Sequence, residues 1–366
     1  MENRILTFAK SLPEHRMERR KLHPVENIVF ITLAAVICGA DTWEDICDFG
    51  HAKKDFLKGV LDLEHGIPSP DTFNRFFAAL SPGVFEAAFL AWVNELCGQN
   101  SGVIAVDGKT VRGSKKQGNK SAIHMVSAFA TANHLVLGQV KTGEKSNEIT
   151  AIPELLEVLD IGGCTITIDA MGCQREIAQI IVENKADYIL AVKENQKELH
   201  DNLVDSFRLV PKQKQVSYED LDAGHGRIET RRCTVTNDLS LVSGAQNWKK
   251  LTTLVKVEST RTNKASGESR QQTRYYITSR EPQAKEIAGG VRSHWDIENK
   301  LHWQLDVSFN EDKSRKRDRN AAENYSVITR MALNIIKNEK TSKRSVKGKR
   351  LKAGWDNGYL LVLLNF

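Results

Sequence analysis

The stretch TITIDAMGCQ, Thr165–Gln174, places a carboxylate directly after a run of apolar and β-branched residues. Such a run is typical of a buried strand, and here it ends on Asp169 before small residues. Upstream, GVIAVDGKTVRG at residues 102–113 has the same form, with Asp107 after a similar apolar run. Because a desolvated carboxylate without a partner is costly in free energy, two such aspartates call for a common explanation.

The segments around these aspartates predict an α/β fold. Three β-rich runs separated by polar turns begin near residue 102, and predicted strands then alternate with helices. The order β-β-β-α-β-α-β gives a mixed sheet flanked by helices, which is the order of ribonuclease-H-like domains. In such a sheet the first and fourth strands are neighbours, so Asp107 would approach Asp169.

Composition and patterning divide the chain into four parts. The first part has helix-length apolar runs and helix-entry signals, the second the predicted mixed sheet, the third several further β-rich runs, and the last many lysines and arginines. We predict an N-terminal helical domain at 1–98, a ribonuclease-H-like domain at 99–212 and 283–340, a β-rich insertion at 213–282, and a basic C-terminal tail at 341–366.

The overall composition is that of a soluble globular protein. Of the 366 residues, 40% are hydrophobic and 27% are charged, and the formal net charge is +6, which fits a polyanionic partner. Six cysteines without a CxxC pair indicate free thiols in a reducing compartment. The longest apolar stretch, residues 28–40, is too short to span a bilayer, so we expect a cytoplasmic protein without a membrane segment.

A third acid comes from the predicted helix VRSHWDIENKLHWQLD, residues 291–306. At about 100° per residue, Glu298 falls within an apolar face. That face comprises Val291, Trp295, Ile297, Leu301 and Leu305. Periodicity leaves open whether Glu298 lies inside the face or at its margin. His294 and His302 stand four residues on either side of it, roughly in line.

Two strand-end aspartates and one helix-borne glutamate form a plausible set of metal ligands. Carboxylate oxygens with open coordination positions suit Mg²⁺ or Mn²⁺, and two such ions support phosphoryl transfer. For either aspartate alone the alternative is a turn or helix cap, which is the common role of Asp after a strand. Asp306, Glu311 and Asp312 are rival third ligands near the predicted end of the helix.

Five motifs together resemble the H-repeat-associated transposases linked to Rhs elements, within the bacterial DDE insertion-sequence transposases. These are AVDGKTVRGS, TIDAMGCQ, DYILAVKENQ, GHGRIETR and HWDIENKLHWQLDVSFNEDKSR. The resemblance implies a ribonuclease-H-like core with a β insertion, and cut-and-paste DNA strand transfer with Mg²⁺ or Mn²⁺. It implies that Asp107, Asp169 and Glu298 are the catalytic acids.

The resemblance also implies DNA partners, namely the terminal repeats of an element and a target. Pairing two ends would need a homodimer or higher oligomer. From spacing alone, the helices of residues 1–98 leave open a helix-turn-helix-like DNA reader and a plain packing unit. With the resemblance we predict a DNA-binding domain there.

The chain departs from the wider group around the third acid. That group often has a tyrosine, an arginine and a lysine in fixed register with the glutamate, where this sequence has Val291, His294 and Leu305. The DNA-holding roles of that motif are therefore not carried over. Arg292 and His294 are the candidate replacements.

Several polar residues near the predicted site are candidate DNA contacts. Lys109 and Arg112 follow the first acid, Lys193 and Asn195 follow the last strand of the predicted core, and His225 and Arg227 lie around Gly226. For each pair a plain alternative stays open: a solvated basic loop, an ordinary turn, or a hairpin tip.

Two other functions remain open beside a DDE transposase. The chain could be a relic that only binds DNA, or a metal-dependent nuclease of the same fold that cuts without joining. The products formed from DNA carrying the element ends distinguish the three.

Overall fold

The computed structural model describes residues 3–14, 16, 21–97, 101–115, 122–143, 147–224 and 226–364. These residues build one nine-stranded sheet in the order β3-β2-β1-β4-β5-β9-β8-β7-β6. The five strands of its first part are β1 (Val103–Val111), β2 (Ile123–Ala130), β3 (Leu135–Lys141), β4 (Thr165–Ile168) and β5 (Asp187–Val192).

Pairing within this first part matches the predicted ribonuclease-H-like order. Strands β1, β2 and β3 are antiparallel, whereas β4 is parallel to β1 and β5 is parallel to β4. The predicted fold class is thus confirmed, including the neighbouring positions of the first and fourth strands. Both are apolar because both are covered on two faces.

The β-rich segment continues the same sheet. Its strands are β6 (Val216–Gly224), β7 (Arg227–Thr236), β8 (Thr253–Asn263) and β9 (Ser269–Thr278). β9 returns to pair antiparallel with β5, from Ile189 opposite Thr278 to Val192 opposite Tyr275. The segment predicted as an insertion is therefore joined to the core strands by backbone hydrogen bonds.

Helices cover both faces of the core strands. In chain order they are α1 (Arg4–Lys10), α2 (Val25–Cys38), α3 (Trp43–Ala52), α4 (Lys54–Lys58), α5 (Pro70–Ala79), α6 (Pro82–Cys97), α7 (Glu148–Val158), α8 (Arg175–Glu183), α9 (Lys197–Leu209), α10 (Ala284–Asp296), α11 (Trp303–Phe309), α12 (Ala321–Asn338), α13 (Val346–Trp355) and α14 (Asn357–Leu364). α7 packs on β2 and β3, and α10 packs on β1, β4 and β5.

The helical layer at the chain ends surrounds α2, whose side chains are buried almost all round. α2 contacts α1 and α3 from the N-terminal part, and α12, α13 and α14 from the C-terminal part. An apolar sequence such as ENIVFITLAAVIC, without a polar face, is typical of such a central helix.

The C-terminal residues differ from the predicted basic tail, because α13 and α14 pack into this layer. Arg350 is buried and donates from Nη2 to the carbonyl of Val36 at 2.8 Å, in the last turn of α2. Lys349 is also buried and lies 3.0 Å from a carboxylate oxygen of Glu339. Arg350 thus binds a free carbonyl at the end of α2, and Lys349 pairs with a buried carboxylate. These basic residues are therefore part of the packed structure.

No single helix in the described ranges is long and apolar enough to cross a membrane. Two sharply bent pairs, α2 with α3 and α5 with α6, reach that length and composition only together. Cys38, Cys47, Cys164, Cys173 and Cys233 are free thiols, and all of these except Cys38 are buried.

The packing of α14 predicts different costs for two neighbouring leucines. Leu360 is fully buried and Leu361 is 36% exposed. Leu360→Ala should lower the free energy of unfolding by roughly 2–5 kcal/mol, because it leaves a cavity. Leu361→Ala should cost less than about 1 kcal/mol. Urea denaturation measures both, and equal small effects would show that α14 is not packed as described.

Candidate active site

Asp107 and Asp169 lie side by side at one end of the β1–β4 pair. The parallel register ends with Val106 opposite Ile168, so Asp107 is the next residue of β1 and Asp169 directly follows β4. β4 stops there, but β1 continues to Val111 and stays paired with β2, where Asp107 is opposite Ser127. The prediction that Asp107 ends its strand is therefore wrong, because a second partner strand prolongs β1. The predicted approach of the two aspartates is confirmed.

The environment of Asp107 is negative. Burial first, then the charges of Glu148, Asp169 and Glu298, together raise the pKa of Asp107 to about 7. The backbone N–H of Gly108 acts in the opposite direction by stabilising the carboxylate. The charges of Asp169 and Glu298 thus both act on Asp107, and a cation near Asp107 would relieve that repulsion.

The turn after Asp169 is held from two sides. Asp169 accepts a hydrogen bond through Oδ1 from the backbone N–H of Met171 at 2.9 Å, as in an ordinary turn cap. Asn195 donates from Nδ2 to the carbonyl of Ala170 at 2.7 Å, and Gln196 donates to the carbonyl of Cys173 at 2.9 Å. Asp169 therefore caps a turn and also lies beside Asp107, so the two interpretations of this residue are compatible. Asn195 helps to hold the same turn.

Glu298 is exposed, whereas Ile297 and Leu301 are fully buried. Of the two alternatives left open for Glu298, the structure supports the position at the margin of the apolar face. The prediction that Trp295 lies within that face is wrong, since Trp295 is 40% exposed. The physical reason is a π-helical turn at Ile297–His302, between α10 and α11. The wider turn takes an extra residue and rotates its neighbours away from the positions of a regular helix.

The two histidines flanking Glu298 turn toward the strands. His294 Nδ1 is 3.0 Å from the hydroxyl of Thr167 on β4, and His302 Nδ1 is 3.6 Å from Oδ2 of Asp107. Burial lowers the pKa of both histidines. For His302, burial together with the Arg330 and Lys109 charges lowers the pKa to about 3. His302 is therefore neutral near pH 7, and its contact with Asp107 is not an ion pair.

The donors at this place fit a hard divalent cation in kind. They are carboxylate oxygens, which Mg²⁺ and Mn²⁺ prefer, and among the described residues the charges that most affect Asp107 are those of other carboxylates. Within the part of the chain that is described, however, no group of three His, Cys, Asp or Glu side chains is already arranged to hold a metal ion.

Lys109 does not face solvent. Its side chain is only 7% exposed, and its Nζ lies 2.7 Å from Asp306 Oδ1, 3.2 Å from Glu311 Oε2 and 3.3 Å from Asp312 Oδ1. The DNA contact predicted for Lys109 is therefore corrected: its charge is already surrounded by carboxylates. Asp306 and Asp312, considered as rival third ligands, are engaged in the same cluster.

The remaining candidate contacts lie at the surface. Arg112 is 81% exposed, with Nε 3.6 Å from Asp312, and Lys193 is exposed beyond the end of β5. Arg292 is half exposed and pairs with Asp222 at 2.9 Å. Arg227 is exposed at the start of β7, and His225 lies outside the described residues.

Arg227 and Arg292 line a groove of about 880 Å³ between α10 and one face of strands β6–β9. Seven basic side chains and four acidic ones line it, and Arg274 lies over the ring of Trp295 at 4.8 Å. The groove reaches Asn299, the residue after Glu298. A groove with more basic than acidic side chains thus reaches the residue next to Glu298 in the sequence.

Sequence reasoning missed Glu148 and its partner. Glu148 Oε1 is 2.7 Å from His124 Nε2, and a Cβ on Gly108 would lie 2.1 Å from that carboxylate oxygen. Glycine is therefore required beside Asp107 because the pair occupies the space of a side chain. A glutamate in the first turn of a helix is common, so Glu148 itself does not stand out in the sequence. The glycine directly after Asp107 was the only sign that another group lies close to this strand.

The family of the chain follows from comparison with known proteins. Residues 98–335 match the family model described as "Transposase DDE domain", and residues 6–93 match the model described as "DDE_Tnp_1-associated". "Putative transposase YncI" of Escherichia coli O157:H7 is 45% identical, over 98% of this chain and 94% of that protein. "H repeat-associated putative transposase YhhI" of Escherichia coli strain K12 is 42% identical, over 99% and 97%.

A solved structure is similar at lower identity. It is the cryo-EM structure of the piggyBac transposase synaptic complex with hairpin DNA, with a TM-score of 0.47 and 12% identity over 99% of this chain and 81% of that one. The family itself rests on the sequence matches. Since the "Transposase DDE domain" model covers well over half of the chain and the relatives align along nearly all of it, this protein belongs to the DDE transposase family that includes the H-repeat-associated members.

Proposed function

We propose that the protein is a transposase that cleaves DNA and transfers the cut strands of an insertion-sequence-like element, using Mg²⁺ or Mn²⁺. The observation that supports this best is the placement of Asp107 beside Asp169 at the end of β4, with the charges of Asp169 and Glu298 both acting on Asp107. Family membership supports the same reaction class.

In this proposal Asp107, Asp169 and Glu298 are the catalytic acids and hold the metal ions. Bound ions would supply an activated water or 3′-hydroxyl as nucleophile and would stabilise the leaving oxygen. Asn195 holds the turn that carries Asp169, through its hydrogen bond to Ala170. His302 stays neutral beside Asp107, so it adds no positive charge that would compete with a cation.

DNA would approach along the basic groove beside α10. The excess of basic over acidic side chains there suits a phosphate backbone, and the groove ends next to Glu298. Lys193 and Arg112, both exposed, are also proposed to contact the DNA backbone. His294 is instead proposed to orient the β4 end, since it binds Thr167.

Assembly and location are part of the same proposal. Joining two element ends needs at least two copies of the chain, so we propose a homodimer or higher oligomer on DNA. The helices of residues 1–98 would recognise the terminal repeats. The protein would act in the bacterial cytoplasm, at the nucleoid.

Removing any one acid should abolish cleavage and leave DNA binding intact. Asp107→Asn, Asp169→Asn and Glu298→Gln should each lower the rate by at least about a thousandfold, because several kcal/mol of charge stabilisation is lost. DNA affinity should change little. The measurement is strand cleavage and strand transfer on DNA carrying the element ends, with and without Mg²⁺, beside a binding assay.

The products decide between the candidate functions. Joined product supports the transposase, cut DNA without joining supports a nuclease, and binding without cleavage supports a relic. Full cleavage by Glu298→Gln, with loss in Asp306→Asn, would show that the third acid is misassigned.

The groove proposal predicts a loss of affinity rather than of rate. Arg227→Ala should weaken DNA binding and reduce the slope of log affinity against log salt by about 0.9, the value for one phosphate contact. Arg208→Ala is the matched control, since Arg208 is 68% exposed on α9, which packs on the β9 side chain Tyr275 rather than on the groove residues. Equal slopes for both variants would argue against a DNA path along the groove.

A further inference from the structure

The cluster around Lys109 joins two elements that carry different acids of the site. Lys109 is two residues after Asp107 on β1, so both side chains point to the same face of the sheet. On that face His302 approaches Asp107, and Asp306 of α11 approaches Lys109 at 2.7 Å. The strand with the first acid is thus tied to the helix that follows the third.

The carboxylates of this cluster are themselves fixed. Glu311 is 3% exposed and binds Arg330 of α12, with Nη1 at 2.6 Å from Oε1, while its Oε2 is 3.2 Å from Lys109. Burial alone would raise the pKa of Glu311, but the Arg330 and Lys109 charges hold it below its usual value. The carboxylate is therefore ionised, and the lysine is bound to a rigid anion.

Backbone contacts beyond Lys109 continue the same attachment. A Cβ on Gly113 would lie 2.2 Å from the carbonyl oxygen of Ser314, so these two backbone segments meet without space for a side chain. Arg317 donates from Nε to the carbonyl of Gly113 at 3.0 Å, and the N–H of Arg112 donates to Asp312 at 3.3 Å. The end of β1 and the segment after α11 are thus docked along several residues.

The segment between these fixed points contains the third acid. Glu298 lies in the π-helical turn, eight residues before Asp306, and its own side chain is exposed. π-Helical turns are less regular than α-helix, so the position of Glu298 depends on how the flanking helices are held. Lys109 holds the C-terminal flank directly against the strand of Asp107.

We propose that Lys109 is a positioning residue, which fixes the helix carrying Glu298 against the strand carrying Asp107 and thereby sets the spacing of the catalytic acids. It touches neither DNA nor metal. The inference rests on the proposed function. A phosphate-binding lysine and a lysine that serves stability alone are the competing roles.

The test compares Lys109→Met with Lys141→Met in the full chain. Lys141 also joins a strand to a helical carboxylate, with Nζ 2.9 Å from Glu323, but it lies on β3 and is 37% exposed. At saturating DNA, Lys109→Met should slow single-turnover cleavage by about a hundredfold, the loss expected from misplacing reacting groups by about 1 Å. DNA affinity and its salt slope should be unchanged, and Lys141→Met should cleave normally.

Two further variants distinguish positioning from stability. Lys109→Arg keeps the charge and should recover much of the rate. Asp306→Asn should slow cleavage by itself but add little in the Lys109→Met background, since both changes break the same contact. If Lys109→Met does not fold, the double variant Lys109→Met with Asp306→Asn, which removes both partners of the contact, takes its place, and the same loss of rate is expected.

Three results would overturn the inference. The first is a normal cleavage rate per folded molecule of Lys109→Met, whatever its thermal stability. The second is a lower DNA affinity of Lys109→Met with a salt slope reduced by about 0.9, which indicates a phosphate contact. The third is full additivity of the effects of Lys109→Met and Asp306→Asn on the cleavage rate. If the unaltered protein does not cleave DNA, the proposed function fails, and Mn²⁺ binding measured by calorimetry decides instead. Lys109→Met should then bind Mn²⁺ at least about tenfold more weakly than Lys141→Met, and equal affinities would overturn the inference.

Discussion

The parallel pairing of β1 with β4 is the constraint on which the site depends. It ends at Val106 and Ile168, so the chain must place two carboxylates next to each other at the edge of a buried pair of strands. Burial first, and then the like charges of Glu148, Asp169 and Glu298, raise the pKa of Asp107. The surrounding structure stabilises this arrangement without neutralising it: Asn195 holds the turn, and the neutral His302 fills the space beside Asp107.

Acidic residues of one helical segment have two different fates. Asp306, Glu311 and Asp312 are compensated by Lys109, and Glu311 also by Arg330. Glu298 in the same segment is exposed and acts electrostatically on Asp107. Carboxylates paired with a lysine or arginine hold elements of the protein together, whereas carboxylates without such a partner attract a cation. The paired and the exposed acids lie close together in the sequence. The acidic composition of the segment therefore does not show which of them is free to hold a metal ion.

The strand order and the meeting of the two aspartates were predictable, because alternating apolar runs and the connection pattern determine them locally. The exposure of Glu298 was not, since a regular 100° periodicity carries no sign of a π-helical turn. The burial of Lys109 was not predictable either, because its partner Asp312 is 203 residues away in the sequence. From its neighbours alone, Lys109 was interpreted as part of a basic loop. The C-terminal helices were missed for a similar reason, because Arg350 finds its acceptor at Val36, 314 residues earlier.

The position of α10 links the acids to the basic groove. This helix packs on β1, β4 and β5 and also on β6 and β7, and the pairing of β5 with β9 makes both groups of strands one sheet. A ligand in the groove therefore contacts the helix that leads into the π-helical turn of Glu298. The far end of that turn is attached to β1 through the contact of Asp306 with Lys109. The least regular turn of the helix thus lies between two fixed points, and it is the turn that carries the third acid.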